Sequence, residues 1–310
     1  MLKISNLALT SLAALTLFTV PSHAQNQAFQ LPTRAHASQA VSADVSAANE
    51  LAAKQKATAV NPLATESCSY KFTSGSGNTY LQFCVTANGN IVEFQSPVGV
   101  EQLSPQTAQA FEGYGICDGS TSTGYFDYAN TDSGNWNAPV LVSQTATAVK
   151  IARTTSDGLW TLTQTFTSTP GTNPYAKVTM ALKNNSGIAK GVVLVRFANA
   201  VPDNSGSTSQ YIENYDGTLN SAFAWLGVPG TANGGPYGLM LQAVGNPTPG
   251  TVPYLREGFA IDTLGGPDPC NPGANWIGQI TSGMGSFVYW YDFSLNKLQT
   301  VTVNERYMSY

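Results

Sequence analysis

Between Thr145 and Ala198 the chain reads TATAVKIARTTSDGLWTLTQTFTSTPGTNPYAKVTMALKNNSGIAKGVVLVRFA, four apolar-rich runs separated by three turn signals. Asp157-Gly158, Pro170-Gly171 through Pro174, and Asn185-Ser186-Gly187 break the runs. Val, Thr and aromatic runs punctuated by Gly, Pro and Asn predict strands joined by tight turns, here an antiparallel four-strand meander. Successive side chains in a strand face opposite ways. In the second run Trp160, Leu162 and Phe166 share a face with Gln164, while Thr161, Thr163, Thr165 and Thr167 share the other. In the third, Val178, Met180 and Leu182 oppose Lys177, Thr179 and Lys183. Both runs therefore predict a sheet with one dry and one wet face, the threonine row being solvated. The fourth differs, because Val192 and Leu194 face one way and Val193, Val195 and Phe197 the other. A strand apolar on both faces must be central and covered twice, which calls for a second packed layer.

The same pattern places the remaining elements. A cysteine-flanked hairpin, CSYKFTSGSGNTYLQFC, is expected to turn near Ser76, and Ala87-Asn88-Gly89-Asn90 to turn into a strand at Ile91–Gln95. Leu103–Asn137 reads as irregular. Further strands are expected at Leu219–Leu226, Tyr237–Val244, Leu255–Thr263, Trp276–Ile280, Ser286–Asp292 and Gln299–Met308, separated by Gly/Pro-rich loops. No period of 20–50 residues repeats, which argues against a propeller or solenoid. The expected fold class is all-β: an antiparallel two-sheet sandwich over residues 67–310, one domain of a length that suits a single sandwich.

Composition adds the compartment. Lys3 followed by the apolar-rich run Leu7–Val20 and by Ser22-His23-Ala24 reads as a secretory signal peptide over residues 1–24. The run is too short for a membrane span, and no later one is long enough. Residues 25–66 are rich in Ala, Gln and Ser and read as a linker, with a marginal helix over Ser42–Ala57. The mature chain is thus expected to be soluble, secreted or periplasmic. An exported chain with four cysteines should hold two disulfides. The hairpin favours Cys68–Cys84, and Cys117–Cys270 follows by elimination.

Absences narrow the chemistry. The two histidines are His23 and His36, so the folded region has none. Triads of the Ser-His-Asp kind and histidine metal sites are excluded there, and a general base would have to be a carboxylate, Tyr or Lys. No metal or cofactor is expected. Charged residues make up only 10%, with 14 Lys+Arg against 18 Asp+Glu. That disfavours nucleic acid, whose phosphates need a basic patch.

Two loop regions carry clustered rings and acids. Tyr125, Tyr128 and Trp136 lie among Asp118, Asp127 and Asp132, and Trp276 lies near Asp268. A Cys117–Cys270 bridge would join the two regions. Flat rings and directional Asp hydrogen bonds are what a polyhydroxylated sugar demands, so these eight residues are the candidate ligand site. The segment Asp203–Asp216, DNSGSTSQYIENYD, clusters oxygens but lacks the spacing of a calcium loop. Arg196, in a strand apolar on both sides, reads as a paired structural charge.

The wording LTQTF, a KNNS turn and then VVLVRFA resembles exported bacterial β-sandwich proteins, and resembles strands of the supersandwich domains found in carbohydrate-active proteins. Over about 40 residues this resemblance implies a supersandwich-like fold more than an activity, and the histidines typical of sugar mutarotases are missing. The expected function is a non-enzymatic module binding polysaccharide or cell-surface material. The rivals are a carboxylate-based carbohydrate-active enzyme and a structural or adhesive envelope protein.

Overall fold

The computed structural model describes residues 67–103, 112–200, 202, 210–215, 221–226, 238–245, 254–256, 266–272, 279–280 and 285–309. The signal-peptide and linker readings, Trp276 and most of the Asp203–Asp216 segment lie outside these residues. No helix among the described residues is long and apolar enough to cross a membrane.

Among the described residues, seventeen strands form three antiparallel sheets. A three-stranded sheet runs β1 (Tyr70–Ser74), β2 (Leu81–Val85), β3 (Ile91–Gln95). A five-stranded sheet contains β4 (Glu112–Asp118), β5 (Thr123–Asp127), β10 (Lys190–Ala200), β14 (Tyr254–Arg256) and β16 (Gly285–Leu295), in the order β14-β16-β10-β4-β5. The rest build a nine-stranded sheet. They are β6 (Val140–Gln144), β7 (Ala148–Thr154), β8 (Trp160–Thr169), β9 (Tyr175–Asn184), β11 (Gln210–Tyr215), β12 (Ser221–Leu226), β13 (Gly238–Ala243), β15 (Gln279–Ile280) and β17 (Thr300–Ser309). Their order is β15-β11-β12-β13-β17-β9-β8-β7-β6.

The core lies between the five- and nine-stranded sheets, and the three-stranded sheet adds Phe72, Leu81, Phe83 and Phe94 to it. Trp160, Leu162 and Phe166 of β8 and Val178, Met180 and Leu182 of β9 are buried, alternating with half-buried threonines on β8, as their sequence pattern requires. Facing them are Ile116, Leu194, Tyr289 and Tyr291 of the opposite sheet.

The expected meander ends one strand early. β7, β8 and β9 pair in succession, but β10 leaves the sheet and pairs β16 and β4. The free edge of β9 is taken by β17 instead. The reason is the two-sided apolarity of β10. As the middle strand of the smaller sheet it buries Leu194 and Ala198 inward and Val195 and Phe197 outward. Asn184 fixes the departure, its amide donating to the carbonyls of Ile188 (2.8 Å), Leu295 (3.1 Å) and Asn296 (3.2 Å).

A second correction concerns 103–137, which holds β4 and β5 where irregular chain was expected. β4 reads EGYGICD: Glu112, Tyr114, Ile116 and Asp118 alternate with Gly113, Gly115 and Cys117. Its inward set carries two acids and its other set almost no side chains, so neither face looks apolar in the sequence. Of the strands expected at Leu255–Thr263 and Trp276–Ile280, the structure describes Tyr254–Arg256 and Gln279–Ile280, and the rest of both lies outside the described residues.

Both disulfides form as paired from the sequence. The first hairpin turns through a 3₁₀ segment at Gly77–Thr79. That register sets Lys71, not Cys68, opposite Cys84, and Cys68 bonds to Cys84 from just before the strand, with Cα atoms 5.5 Å apart.

Candidate functional site

The sequence-derived residues divide among three places. Tyr125, Trp136, Asp127 and Asp132 meet at an interior node. Arg153 of β7 sends Nη1 to the Asp127 carboxylate (2.6 Å) and to the Tyr114 hydroxyl (3.0 Å), with Asp132 at 3.6 Å. Its guanidinium lies 5.2 Å from the centre of the Trp136 ring. That ring in turn stands edge-on to Tyr114 at 5.4 Å and to Tyr125 at 6.3 Å. Asn88 donates to Asp127 (2.9 Å), and Tyr114 donates to the Asn88 carbonyl (2.8 Å). Every side chain of this node is buried. Burial pushes the Asp127 carboxyl up to about 7 and the Asp132 charge adds to it, against the pull of Arg153. The node is a clamp joining β4, β5 and β7, and its rings present no open face.

Asp118 sits elsewhere, at the far end of β4. It accepts from Lys190 Nζ (2.8 Å), from Trp160 Nε1 (3.2 Å) and from the Ser120 amide (2.9 Å). Burial raises this carboxyl, but those bonds together outweigh it and hold the group below the ordinary range. Trp160 comes from β8, so this contact too bridges the sheets. Tyr125 turns its hydroxyl to Asp157, whose carboxylate also accepts from Thr155 (2.6 Å).

Tyr128 and Asp268 belong to the third place, the outward face of the five-stranded sheet. Cys117 of β4 is bonded to Cys270, and the segment 266–272 is held across β4 and β5 by that bond. Tyr128 donates to the Pro267 carbonyl (2.8 Å), and Asp268 accepts from the Cys270 amide (2.9 Å). The fit depends on glycine. A Cβ on Gly115 would lie 2.6 Å from Pro269 Cγ and 3.0 Å from the Tyr128 hydroxyl. Gly266, at φ +80°, meets the Tyr128 ring so closely that a Cβ would come within 2.4 Å of it.

Around the clasp runs a small apolar cluster of its own: Tyr128, Val195, Phe197 and Val288 are buried, with Phe126, Val193 and Trp290 half-exposed. Phe126 stacks on Tyr128 at 5.1 Å. The register puts Trp290 beside Val195 and Asp292 beside Val193. By strand alternation Asp292, Trp290 and Val288 share one face. Asp268 is exposed at the clasp. This face therefore combines half-exposed rings with carboxylates on a disulfide-fixed support, an arrangement that can take the apolar face of a ligand and accept hydroxyl hydrogen bonds at its edge. Phe126 lies within the aromatic cluster of 114–136 that the sequence singles out, whereas Trp290 escapes a sequence reading because nothing short of the register shows which way a strand's rings point.

A separate polar cluster lies between the sheets. Arg196 ion-pairs with Glu112 and donates to Tyr307 (3.1 Å) and Gln164 (2.6 Å). Tyr307 donates to Glu112 (2.5 Å) and Tyr291 to Glu305 (3.0 Å). All six side chains are fully buried or nearly so. Burial pushes Glu305 up to about 7, and raises Glu112 as well despite Arg196. No group of three or more His, Cys, Asp or Glu side chains among the described residues is placed to hold a metal ion.

No protein-family model matches the chain, and no curated protein matches it in sequence. Distant structural likenesses exist. A bacterial glucoamylase complexed with acarbose superposes with TM-score 0.46 and 11% identity over 81% of this chain and 33% of that one. A galactose mutarotase related enzyme from Lactobacillus acidophilus gives 0.39 and 7% over 78% and 97%. A Synechocystis protein gives 0.41 and 9% over 81% and 98%. The chain thus spans about a third of the glucoamylase. Likeness this remote decides neither ligand nor activity.

Proposed function

We propose that this chain is an exported, non-enzymatic module that binds glycan or cell-surface material on the outward face of its five-stranded sheet, beside the Cys117–Cys270 clasp. The observation that carries the reading is the half-exposed pair Phe126 and Trp290 on a face that also bears Asp268 and Asp292. Rings left half-open on a rigid sheet suit the apolar face of a sugar, and the carboxylates suit its hydroxyls. Tyr128 supports this surface from beneath. Trp276, outside the described residues, is included in the proposed site on its sequence alone. Tyr125, Trp136, Asp118, Asp127 and Asp132 stiffen the strands that carry it. In favour of binding without turnover, the inward carboxylates Glu112, Asp118, Asp127 and Glu305 are each held by Arg196, Lys190, Arg153 or Tyr291. Residues 1–24 direct export in this reading, which places the module in the periplasm or outside the cell.

The test is a glycan array on the mature protein, followed by titration calorimetry of its hits with wild type and Trp290→Ala. Binding without saccharide release, weakened at least roughly tenfold in the variant, supports the reading. Release of saccharide that one Asp or Glu substitution abolishes would instead establish the enzyme rival. No binding to any glycan would leave the envelope-structural role.

A further inference from the structure

β6 is an outermost strand of the nine-stranded sheet, paired with β7 on one side. Its backbone is bonded to no described residue on the other. All five of its residues are exposed. Three consecutive ones are large and apolar: Val140 (61%), Leu141 (49%) and Val142 (50%). The other exposed large apolar side chains among the described residues, Val98, Ile188, Val244 and Leu298, stand singly along the sequence. Single exposed apolar residues are ordinary, whereas a run of three along a free edge is not.

A free strand edge is a template for another strand, and sheet proteins blunt it with Lys, Pro or inward charges. VLVSQ has none of these. Its one irregularity is a register shift between Leu141 and Ser143 on the side of β7. We propose that β6 pairs antiparallel with β6 of a second copy of this chain, joining two nine-stranded sheets across a twofold axis.

Three observations favour a copy over another occupant. An antiparallel strand paired with itself closes under a twofold, so one sequence supplies both halves of the interface. From Ser133 to Val149 there is no charged residue, so no register sets like charges against each other and no oppositely charged partner is called for. Centred on Val142, the pairing sets Val140 against Gln144 and Leu141 against Ser143, and covers the three apolar side chains while filling the vacant row of backbone groups. A polysaccharide offers no such row of amides. A contact this short falls below the roughly 1,200 Å² of a standard interface, so the dimer is a weak one, half-formed at roughly 10 µM to 1 mM.

Sedimentation equilibrium of the mature protein across that range is the test, with Val142→Lys and, as a control on the solvated face of β8, Thr165→Lys. Both sites are exposed or half-exposed, and circular dichroism checks that the variants fold. The expected result is a mass that climbs toward twice the monomer in wild type and control, with at least tenfold weaker association in Val142→Lys. Hydrogen exchange of the β6 amides should slow as concentration rises. A wild type that stays monomeric to about 1 mM overturns the proposal. So does a dimer indifferent to Val142→Lys, which would use another surface. The β6 amides bonded to β7 are protected at any concentration, so the reading is taken from those that point away from β7: protection of these that does not depend on concentration also overturns the proposal, since the edge would then be covered within one chain.

Discussion

Replacing Arg196 with Met keeps the volume of the side chain but removes the cation paired with Glu112. The wild-type guanidinium is fully buried, ion-paired to Glu112, bonded to Tyr307 and Gln164, and 5.5 Å from the centre of the Phe166 ring. Breaking a buried pair by deleting one partner costs about 3–5 kcal/mol, mostly because the survivor is left charged in a dry interior. In urea, with a slope of roughly 2–3 kcal/mol per molar, that is a midpoint lowered by about 1–2 M. Glu112 can relieve the strain by keeping its proton. Its folded pKa is already raised by burial and would rise further without Arg196. A carboxyl whose folded pKa exceeds its unfolded value of 4.5 binds protons more readily when folded, so stability is highest below 4.5 and falls as pH climbs through the gap. The single variant should therefore lose more at pH 8 than at pH 5. Arg196→Met with Glu112→Gln removes both charges and should recover a large part of the loss, with little pH dependence of its own. Urea unfolding at both pH values with disulfides intact reads all three variants. A single variant within about 1 kcal/mol of wild type, or a double variant worse than the single by the full cost of a second lesion, would refute the reasoning.

The wild type should share this pH trend on a smaller scale. Glu101 and Glu305 are pushed up to about 7 chiefly by burial, so calorimetric melting temperatures should fall from pH 4.5 to pH 7 and flatten above; a rise over that interval would contradict the burial assigned to both carboxyls. Gly115→Ala forces a methyl against Pro269, 2.6 Å away, and should cost roughly 1–3 kcal/mol while speeding reduction of Cys117–Cys270, as followed by thiol alkylation. Replacing Cys117 and Cys270 by Ser opens a loop with a sequence separation of 153, against 16 for Cys68–Cys84. In the chain-entropy model the losses are about 5 and about 3 kcal/mol, an order that denaturant midpoints of the two double variants would show.

Several features were plain in the chain itself. The alternation in β8 and β9 named their dry faces, the two-sided apolarity of β10 required a covering layer on each side, and four cysteines in an exported reading resolved into the two observed pairs. What alternation does not encode is the partner of a strand. β10 follows β9 after a short turn, yet its pairing is decided by β16 and β4, far away in sequence. β4 was hidden because its inward positions carry Glu112 and Asp118, which become core residues only when Arg196 and Lys190 arrive from β10. The same blindness affected the candidate site. Trp136 is aromatic and lies in a loop rich in acids, which reads as an open platform, but Arg153 and Tyr114 cover it. Trp290 lay within an expected strand, and only the β10–β16 register shows that its ring faces outward beside Val195.

Mapping where a bound glycan protects the backbone tests the account most directly. Hydrogen exchange, or amide chemical shifts, of the mature protein with and without the best array ligand should change at Phe126–Tyr128, Val193–Phe197 and Val288–Asp292, and leave the threonine face of β8 untouched. Changes confined to β8 and β9, or none in the five-stranded sheet at saturating ligand, would contradict it.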